Sequence, residues 1–342
     1  MESQQAQRKN EHLSLAEKDY QLNHQHDFFN DVQLIPNALP ELAVADVDCA
    51  IQLAGIKLDW PFYIEAMTGG SKQTGKVNQQ LGKIANDKHL AIATGSMSII
   101  FKERDAASSF LTLREADPHG VVLANLGAHA TPAQAQQAVD LIDADALEIH
   151  VNAAQELVMP EGARDFHWLD NITRIVDALT VPVIVKEVGF GMSRHSIEQL
   201  LQAGVSWINI SGRGGTNFAR IENRRNHELD LSDLDNWGLT TPETLLEAQK
   251  TAAQVVASGG ITSPLDVVKA GVLGAQAVGV AGFFLHQLIT AGPEKLATVI
   301  DQWQAELPRL LTLLGCQKFH DLKQVDYVLH QQLWEYAQQR RL

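Results

Sequence analysis

The chain has 342 residues, 45% apolar and 20% charged, a balance that suits a soluble globular protein built as one large α/β barrel or two average domains. Its 41 acidic and 27 basic side chains leave a formal net charge of −14, which excludes a general nucleic-acid binder, because such a protein needs a basic face to displace counterions. Net charge governs solubility and long-range fields, so an anionic ligand in one local pocket stays compatible with it.

Cys49 and Cys316 lie far apart with no redox or metal spacing, so neither a disulfide scaffold nor a zinc ribbon is expected. Residues 1–30 lack the apolar core of a signal peptide, and the longest apolar run, near 278–285, is too short to span a bilayer. A cytoplasmic protein without membrane association is expected.

Residues 1–60 read as a peripheral extension, polar at first and then carrying short apolar runs at 43–47 and 51–56. The basic cluster Arg8-Lys9 beside Glu11-His12 reads, taken alone, as a disordered arm. From Phe62 a rhythm sets in. Eight strands are predicted over residues 62–67, 90–94, 121–125, 146–151, 183–186, 207–210, 254–258 and 276–280. Amphipathic helical patterns follow them, as at 77–89, 132–141, 170–179, 193–203 and 241–253. Thr131-Pro132 and Thr241-Pro242 each place a cap residue before a proline at the first helical position. Alternating strands and helices imply parallel strands with right-handed crossovers. Eight units over about 220–250 residues predict an α/β fold of the TIM (β/α)8 barrel type. The barrel is expected over 61–310, flanked by the N-terminal extension 1–60 and a helical C-terminal tail 311–342.

Two connections stand out. The 151–168 segment is long for a βα loop, and the 29 residues of 211–239 hold Gly-rich and charged stretches. A loop of that length in a compact domain reads as a lid or as disordered. It and residues 1–10 are expected to be mobile without substrate.

A TIM barrel carries its active site at the C-terminal ends of its strands. Those ends read Ala66-Met67-Thr68-Gly69-Gly70, Thr94-Gly95-Ser96, Asn125, His150-Val151-Asn152, Lys186-Glu187, Ser211-Gly212, Gly259-Gly260 and Ala281-Gly282. Any one glycine is most simply a turn residue. Gly259-Gly260 and Ala281-Gly282, however, follow strands seven and eight, where this fold commonly binds phosphate through bare backbone N–H groups. A phosphorylated cofactor follows, with Ser211 and Thr216 as further donors. Two decoys fail. Gly70-Ser71-Lys72-Gln73-Thr74-Gly75-Lys76 resembles a P-loop, but Val77 stands where a hydroxyl must hold Mg²⁺. Gly189-Phe190-Gly191 lacks the third glycine of a dinucleotide fingerprint.

On strand four, the period of two puts Glu148, His150 and Asn152 on one face, toward the barrel interior and mouth. A lone interior histidine is usually a hydrogen-bonded core residue; His150 with Asn152, Gln155 and Glu156 is harder to dismiss. Glu156 offers a hard oxygen ligand suited to Mg²⁺. Lys186 is either an ion-pair partner of a neighbour such as Glu148 or a cation set against a developing anion in a dry site, and its place at the mouth favours the second. Arg213, Arg220, Arg224 and Arg225 in the long loop read as a solvated face or as groups that close over an anion.

These residues resemble the type 2 isopentenyl-diphosphate isomerases, FMN-dependent TIM-barrel enzymes of isoprenoid synthesis. The resemblance runs from Arg8 to about Leu285. It rests on Arg8-Lys9-x-x-His12, Met67-Thr68-Gly69-Gly70, Ala93-Thr94-Gly95-Ser96, His150-x-Asn152-x-x-Gln155-Glu156, Lys186-Glu187-Val188-Gly189, Ser211-Gly212-x-Gly214-Gly215-Thr216, Ser258-Gly259-Gly260-Ile261 and Ala281-Gly282. The resemblance implies that Ala66, Met67, Thr68, Ser96, Asn125, Lys186, Ser211, Thr216, Gly259, Gly260, Ile261, Ala281 and Gly282 line FMN. It implies that Arg8, Lys9, His12, His150, Asn152 and Gln155 hold the substrate diphosphate or sit beside its alkene, with Ser96 and Ser98 also in reach. Met97 receives no role. Glu156 would bind Mg²⁺ bridging to the diphosphate. His150, Gln155 and Lys186 are the implied catalytic set, with reduced FMN as acid and base, Lys186 stabilising its negative charge, and NADPH as reductant. Either Gln155 or Glu222 would move a proton. The family also implies a homo-oligomer, tetramer or octamer.

The nearest rival is another FMN barrel. A 2-hydroxy-acid oxidase wants His and Arg near strand seven, where this chain reads Ala257-Ser258-Gly259-Gly260-Ile261-Thr262. A thiol-dependent nucleotide dehydrogenase needs a cysteine in the mouth, and neither cysteine falls on a barrel strand. A non-catalytic flavin or phosphate sensor would not need the metal carboxylate.

Overall fold

The computed structural model describes residues 4–23, 28–226 and 228–342. An N-terminal helix α1 (Gln4–Asn23) precedes strand β1 (Val32–Leu34) and the hairpin β2 (Ile51–Leu53) and β3 (Ile56–Leu58). The barrel strands are β4 (Phe62–Ile64), β5 (Ile92–Ala93), β6 (Val122–Gly127), β7 (Ala146–His150), β8 (Val183–Lys186), β9 (Trp207–Asn209), β10 (Gln254–Ser258) and β11 (Ala277–Val280). They pair in parallel in that order, and β11 closes on β4. All eight expected strands occur. The interleaved helices are α2 (Lys72–Lys88), α3 (Ser108–Ala116), α4 (Pro132–Ile142), α5 (Ala153–Val158), α6 (Leu169–Ala178), α7 (Arg194–Gln202), α8 (Phe218–Arg225), α9 (Thr241–Ala248), α10 (Pro264–Val272), α11 (Gly282–Ala291) and α12 (Pro293–Leu313). The tail adds β12 (Tyr327–Leu329) and α13 (Gln331–Arg340).

Local chemistry sets the helix starts. Ser71, Thr131, Thr240 and Ser263 each form a reciprocal capping box with the residue three positions on, which satisfies two of the four donors orphaned at a helix start. The cap of α9 is Thr240, one residue before the expected Thr241, because Glu243 sits three positions after Thr240 and returns a hydrogen bond to its amide at 2.7 Å.

Three expectations change. The N-terminal arm is a 20-residue helix, not disordered chain. The 211–239 connection is not a plain loop: it folds into α8 and a short 3₁₀ turn at Ser232–Leu234, with Asn217 capping α8 through the Arg220 amide. The tail is not helical throughout, since β12 pairs antiparallel with β1 and ties the two ends of the chain together. The interior of the barrel stacks Tyr63, Leu123, Ala146, Ile184, Val256 and Ala277, and Leu53 and Leu58 of the β2–β3 hairpin plug it from the N-terminal end. The open end is therefore the C-terminal one.

Candidate active site

A cavity of about 460 Å³ occupies the C-terminal mouth of the barrel, within the range of small-molecule sites. Every site residue expected from the sequence lines it, from Arg8, Lys9 and His12 on α1 to Gly282 at the start of α11. Met97, left without a role, is fully buried in the outer core.

One side of the cavity is a phosphate cradle. Gly259 and Gly260 take φ of +92° and +76°, and a Cβ on Gly259 would lie 2.0 Å from the Gly212 carbonyl oxygen. Only glycine fits that approach. Ser211 holds φ of +22°, a strained value for a residue with a side chain. The α11 helix follows Ala281, which has no side chain able to cap it, so its first amides, at Gly282 and Phe283 in the cavity lining, carry no side-chain cap. Bare amides and the positive end of a helix make an anion site. The residues present fit an FMN phosphate.

The opposite side, above β5 to β7, carries the cationic residues. Lys9 Nζ donates to the Ser96 carbonyl at 3.4 Å, and Arg8 reaches Glu161 at 3.3 Å. Burial first, and Arg8 second, lower the Lys9 pKa to about 8, although Glu222 pulls the other way. Asn152 Nδ2 donates to Gln155 Oε1 at 3.2 Å and to Glu156 Oε1 at 3.1 Å, while the Ala163 amide donates to Glu156 Oε2 at 2.6 Å. With its Oε1 so engaged, Gln155 donates through Nε2 to Glu222 Oε1 at 3.2 Å. His12 Nε2 lies 2.8 Å from the same oxygen, and Arg225 Nη1 lies 2.5 Å from Glu222 Oε2. Burial opposes the Glu222 charge, yet His12, Arg225 and Gln155 outweigh it and hold its pKa near 2.

The loop arginines do not line the cavity. Arg220 and Arg224 reach Asp19 of α1 at 3.2 and 3.5 Å, and Arg225 bridges Glu11, Glu161 and Glu222. They fasten α1 over the mouth. On its inner face α1 contributes Leu13 and Ala16, which with Met159, Phe218, Phe283 and Leu285 give the cavity an apolar wall. No sequence signal marked that wall, because α1 has no apolar stripe to announce a buried face.

Beneath the mouth, Lys186 pairs with Glu65 at 3.0 Å and stands 3.9 Å from Glu148. Burial opposes the Lys186 charge, but Glu65 and Glu148 outweigh it and raise its pKa. Lys186 is thus both an ion-pair partner and a lining group. Its main partner, Glu65, was missed in the sequence: it follows the short, largely aromatic strand Phe62-Tyr63-Ile64 and belongs to no motif. Gly279 on β11 makes room for it, since a Cβ there would fall inside the Glu65 carboxylate's contact radius at 2.4 Å. His150 Nδ1 lies 2.9 Å from Asn125 Oδ1. Burial first, then Lys186 and Lys9, lower the His150 pKa to about 3, so its imidazole is neutral. Cys49 and Cys316 are free, buried and remote from the cavity.

Glu156 suits Mg²⁺ in one specific way. Among the described residues no group of three His, Cys, Asp or Glu could cage a metal, but Mg²⁺ is commonly held by one carboxylate together with water and substrate phosphates.

Residues 101–328 match the FMN-dependent dehydrogenase family. The chain is 57% identical to the isopentenyl-diphosphate delta-isomerase of Limosilactobacillus reuteri, aligned over 100% of this chain and 99% of that one. It is 48% identical to the Latilactobacillus sakei protein of the same name, over 100% and 98%. In structure it is similar to an active chimera of (S)-mandelate dehydrogenase, with TM-score 0.64 at 19% identity over 92% of this chain and 97% of that one, a likeness of fold alone. Full-length identity to the isomerases, on a barrel whose cavity gathers their motif residues, means that the chain belongs to the isopentenyl-diphosphate delta-isomerase family, built on an FMN-dependent dehydrogenase barrel.

Proposed function

We propose that the chain interconverts isopentenyl diphosphate and dimethylallyl diphosphate for isoprenoid biosynthesis. The observation that carries this reading is one cavity with two anion-binding sides: the glycine cradle after β9 to β11, and Arg8, Lys9 and Asn152 across the barrel. Two small phosphorylated molecules, cofactor and substrate, fit that division.

The reaction adds a proton at one carbon of an alkene and removes another from its neighbour. Arg8, Lys9, His12 and Asn152 grip the diphosphate and so orient a five-carbon group that offers no polar handle of its own. Glu156 would hold Mg²⁺, which would offset the diphosphate charge. Ser96 and Ser98, whose hydroxyls lie 3.2 Å apart, present donors beside it. Reduced FMN supplies the strong acid and its conjugate base that the side chains lack, with NADPH as the expected reductant and no net hydride consumed. Lys186 sets its charge against the negative charge of that cofactor. Either Gln155, which lines the cavity, or Glu222, joined to it at 3.2 Å behind that wall, would assist by moving a proton. Neutral His150 orients the reacting group without adding a charge. The α1–α8 cover excludes water, which would otherwise capture cationic character on the alkene.

The hydroxy-acid oxidase alternative lacks its chemistry: the end of β10 provides Ser258, Gly259, Gly260, Ile261 and Thr262, with neither a base nor a carboxylate clamp. Cytoplasmic residence and assembly into a homo-oligomer, tetramer or octamer, belong to the same proposal. Trp334 and Leu313, 53% and 58% exposed, support a further interface, and light scattering on the purified chain checks it. The deciding experiment is deuterium uptake into isopentenyl diphosphate from heavy water with Mg²⁺ and reduced FMN. Uptake with appearance of dimethylallyl diphosphate is expected, and its absence sinks the isomerase reading.

A further inference from the structure

Glu148 on β7 takes no part in the steps above. It is fully buried and lies beneath the cavity rather than in its wall. The Tyr63 hydroxyl stands 2.9 Å from Glu65 Oε2 and 3.2 Å from Glu148 Oε1. It also accepts from Asn209 Nδ2 at 3.3 Å. The Asn209 amide cannot be turned round, because its Oδ1 accepts from the Ser211 backbone amide at 3.3 Å and from the Ser258 hydroxyl at 2.7 Å. A phenol has one proton to donate, so two carboxylates flank a group that can serve only one of them. Glu65 already accepts from the Ala66 amide, from Lys186 and from Asn209. Glu148 accepts from Asn125 Nδ2 at 3.0 Å, stands 3.9 Å from Lys186, and lies within hydrogen-bond reach of the Glu65 carboxyl itself.

We infer that Glu148 is held as a protonated carboxylic acid that donates to the Tyr63 oxygen, and that it acts as a positioning residue for the cofactor's charge. Protonated, it leaves Glu65 as the carboxylate hydrogen-bonded to Lys186, with buried Glu187 acting on Lys186 from further off. A reduced flavin bearing negative charge at Lys186 then meets one buried carboxylate fewer beside that ammonium. The run of donors continues in one direction. Glu148 Oε2 accepts from Asn125, Asn125 Oδ1 accepts from His150 Nδ1, and His150 keeps its Nε2 lone pair. The groups facing Glu148 are Tyr63 and Glu65 from β4, Lys186 from β8 and Asn125 from β6, while Lys9 and His129 face His150. Burial first, then Glu65, raise the Glu148 pKa to about 8, against the pull of Lys186 and Asn125.

The test uses the FMN-loaded full chain. At pH 7 its infrared spectrum should show a carboxylic-acid C=O band that shifts on hydrogen–deuterium exchange and is missing from E148Q. Fluorescence titration with reduced FMN should show wild-type affinity falling about fivefold between pH 8 and 9 as Glu148 ionises, and about tenfold for each further pH unit. In E148Q, a neutral isostere, affinity should stay within about threefold over that range. Absence of the band, or identical pH profiles for the two proteins, overturns the inference. If E148Q does not accumulate, Y63F decides: removing the acceptor should move the band, and an unmoved band overturns the inference equally. Neither readout requires isoprenoid turnover, so this inference and the isomerase reading fail separately.

Discussion

At the scale of single residues, the site rests on groups whose neighbours fix their protonation. Lys9 is half-buried beside Arg8 and loses its proton near pH 8. A diphosphate needs the ammonium form, so affinity should fall by about tenfold per pH unit above 8. Titration with inorganic pyrophosphate from pH 7 to 9.5 checks this, and Lys9→Met should flatten the profile. Glu222 keeps its carboxylate charge throughout this range. With pre-reduced FMN, Gln155→Asn and Glu222→Gln should each lower kcat by about 10²–10⁴, the usual weight of general acid–base catalysis. Near-wild-type turnover in both variants removes them from proton transfer. At Gly259 the constraint is steric. Gly259→Ala puts a methyl 2.0 Å from a carbonyl oxygen at a positive φ, and FMN affinity should fall at least about tenfold, the cost of roughly 1–3 kcal/mol of backbone strain.

At the scale of elements, α1 decides whether the mouth is complete. Its sequence offers neither a strong apolar face nor acidic residues in its first turn, so little in the helix itself holds it in place. Tertiary contacts hold it: Asp19 takes Arg220 and Arg224 of α8, Glu17 lies 2.8 Å from His286 of α11, and Tyr20 stacks on the same histidine at 4.5 Å. Asp19→Ala removes the carboxylate that Arg224 reaches and one of the two that Arg220 reaches, the other being Asp235 at 3.5 Å, far from the cradle. It should raise KM for the diphosphate severalfold while FMN affinity, read by fluorescence, stays unchanged. A parallel loss of FMN binding contradicts the separation of lid from cradle. The same contacts explain why a reading of 1–23 and 211–239 as arm and loop was incomplete. Each is a weak helix-former alone, and each becomes helical against the other.

At the scale of the whole molecule, the tail locks the barrel from outside. Glu247 on α9 accepts from Arg340 Nε at 2.6 Å and from the Tyr336 hydroxyl at 2.8 Å, both on α13. Burial opposes its charge, but Arg340, the Arg194 amide and Tyr336 outweigh it and lower its pKa to about 2. A depressed carboxylate adds stability that is complete above its unfolded value, about 4.3, and fades as pH falls toward 2. Glu247→Gln should therefore cost about 2 kcal/mol at pH 7 and progressively less in acid, as denaturant melts at pH 7 and pH 3 would show. An equal loss at both pH values contradicts the ionic account. The sequence by itself determined the eight βα units, because strand and helix periods and caps such as Thr131-Pro132 are written in neighbouring residues. It also marked all the expected lining positions, since motif residues sit at strand ends and a barrel must gather those ends at one mouth. Only the tertiary structure decided the partners. Glu65 meets Lys186, Arg220 meets Asp19, and Tyr63 meets Glu148 across separations of 85 to 201 residues. No local pattern encodes such pairs, because burial and charge act through space and the chain's periodicity records only which face a residue occupies.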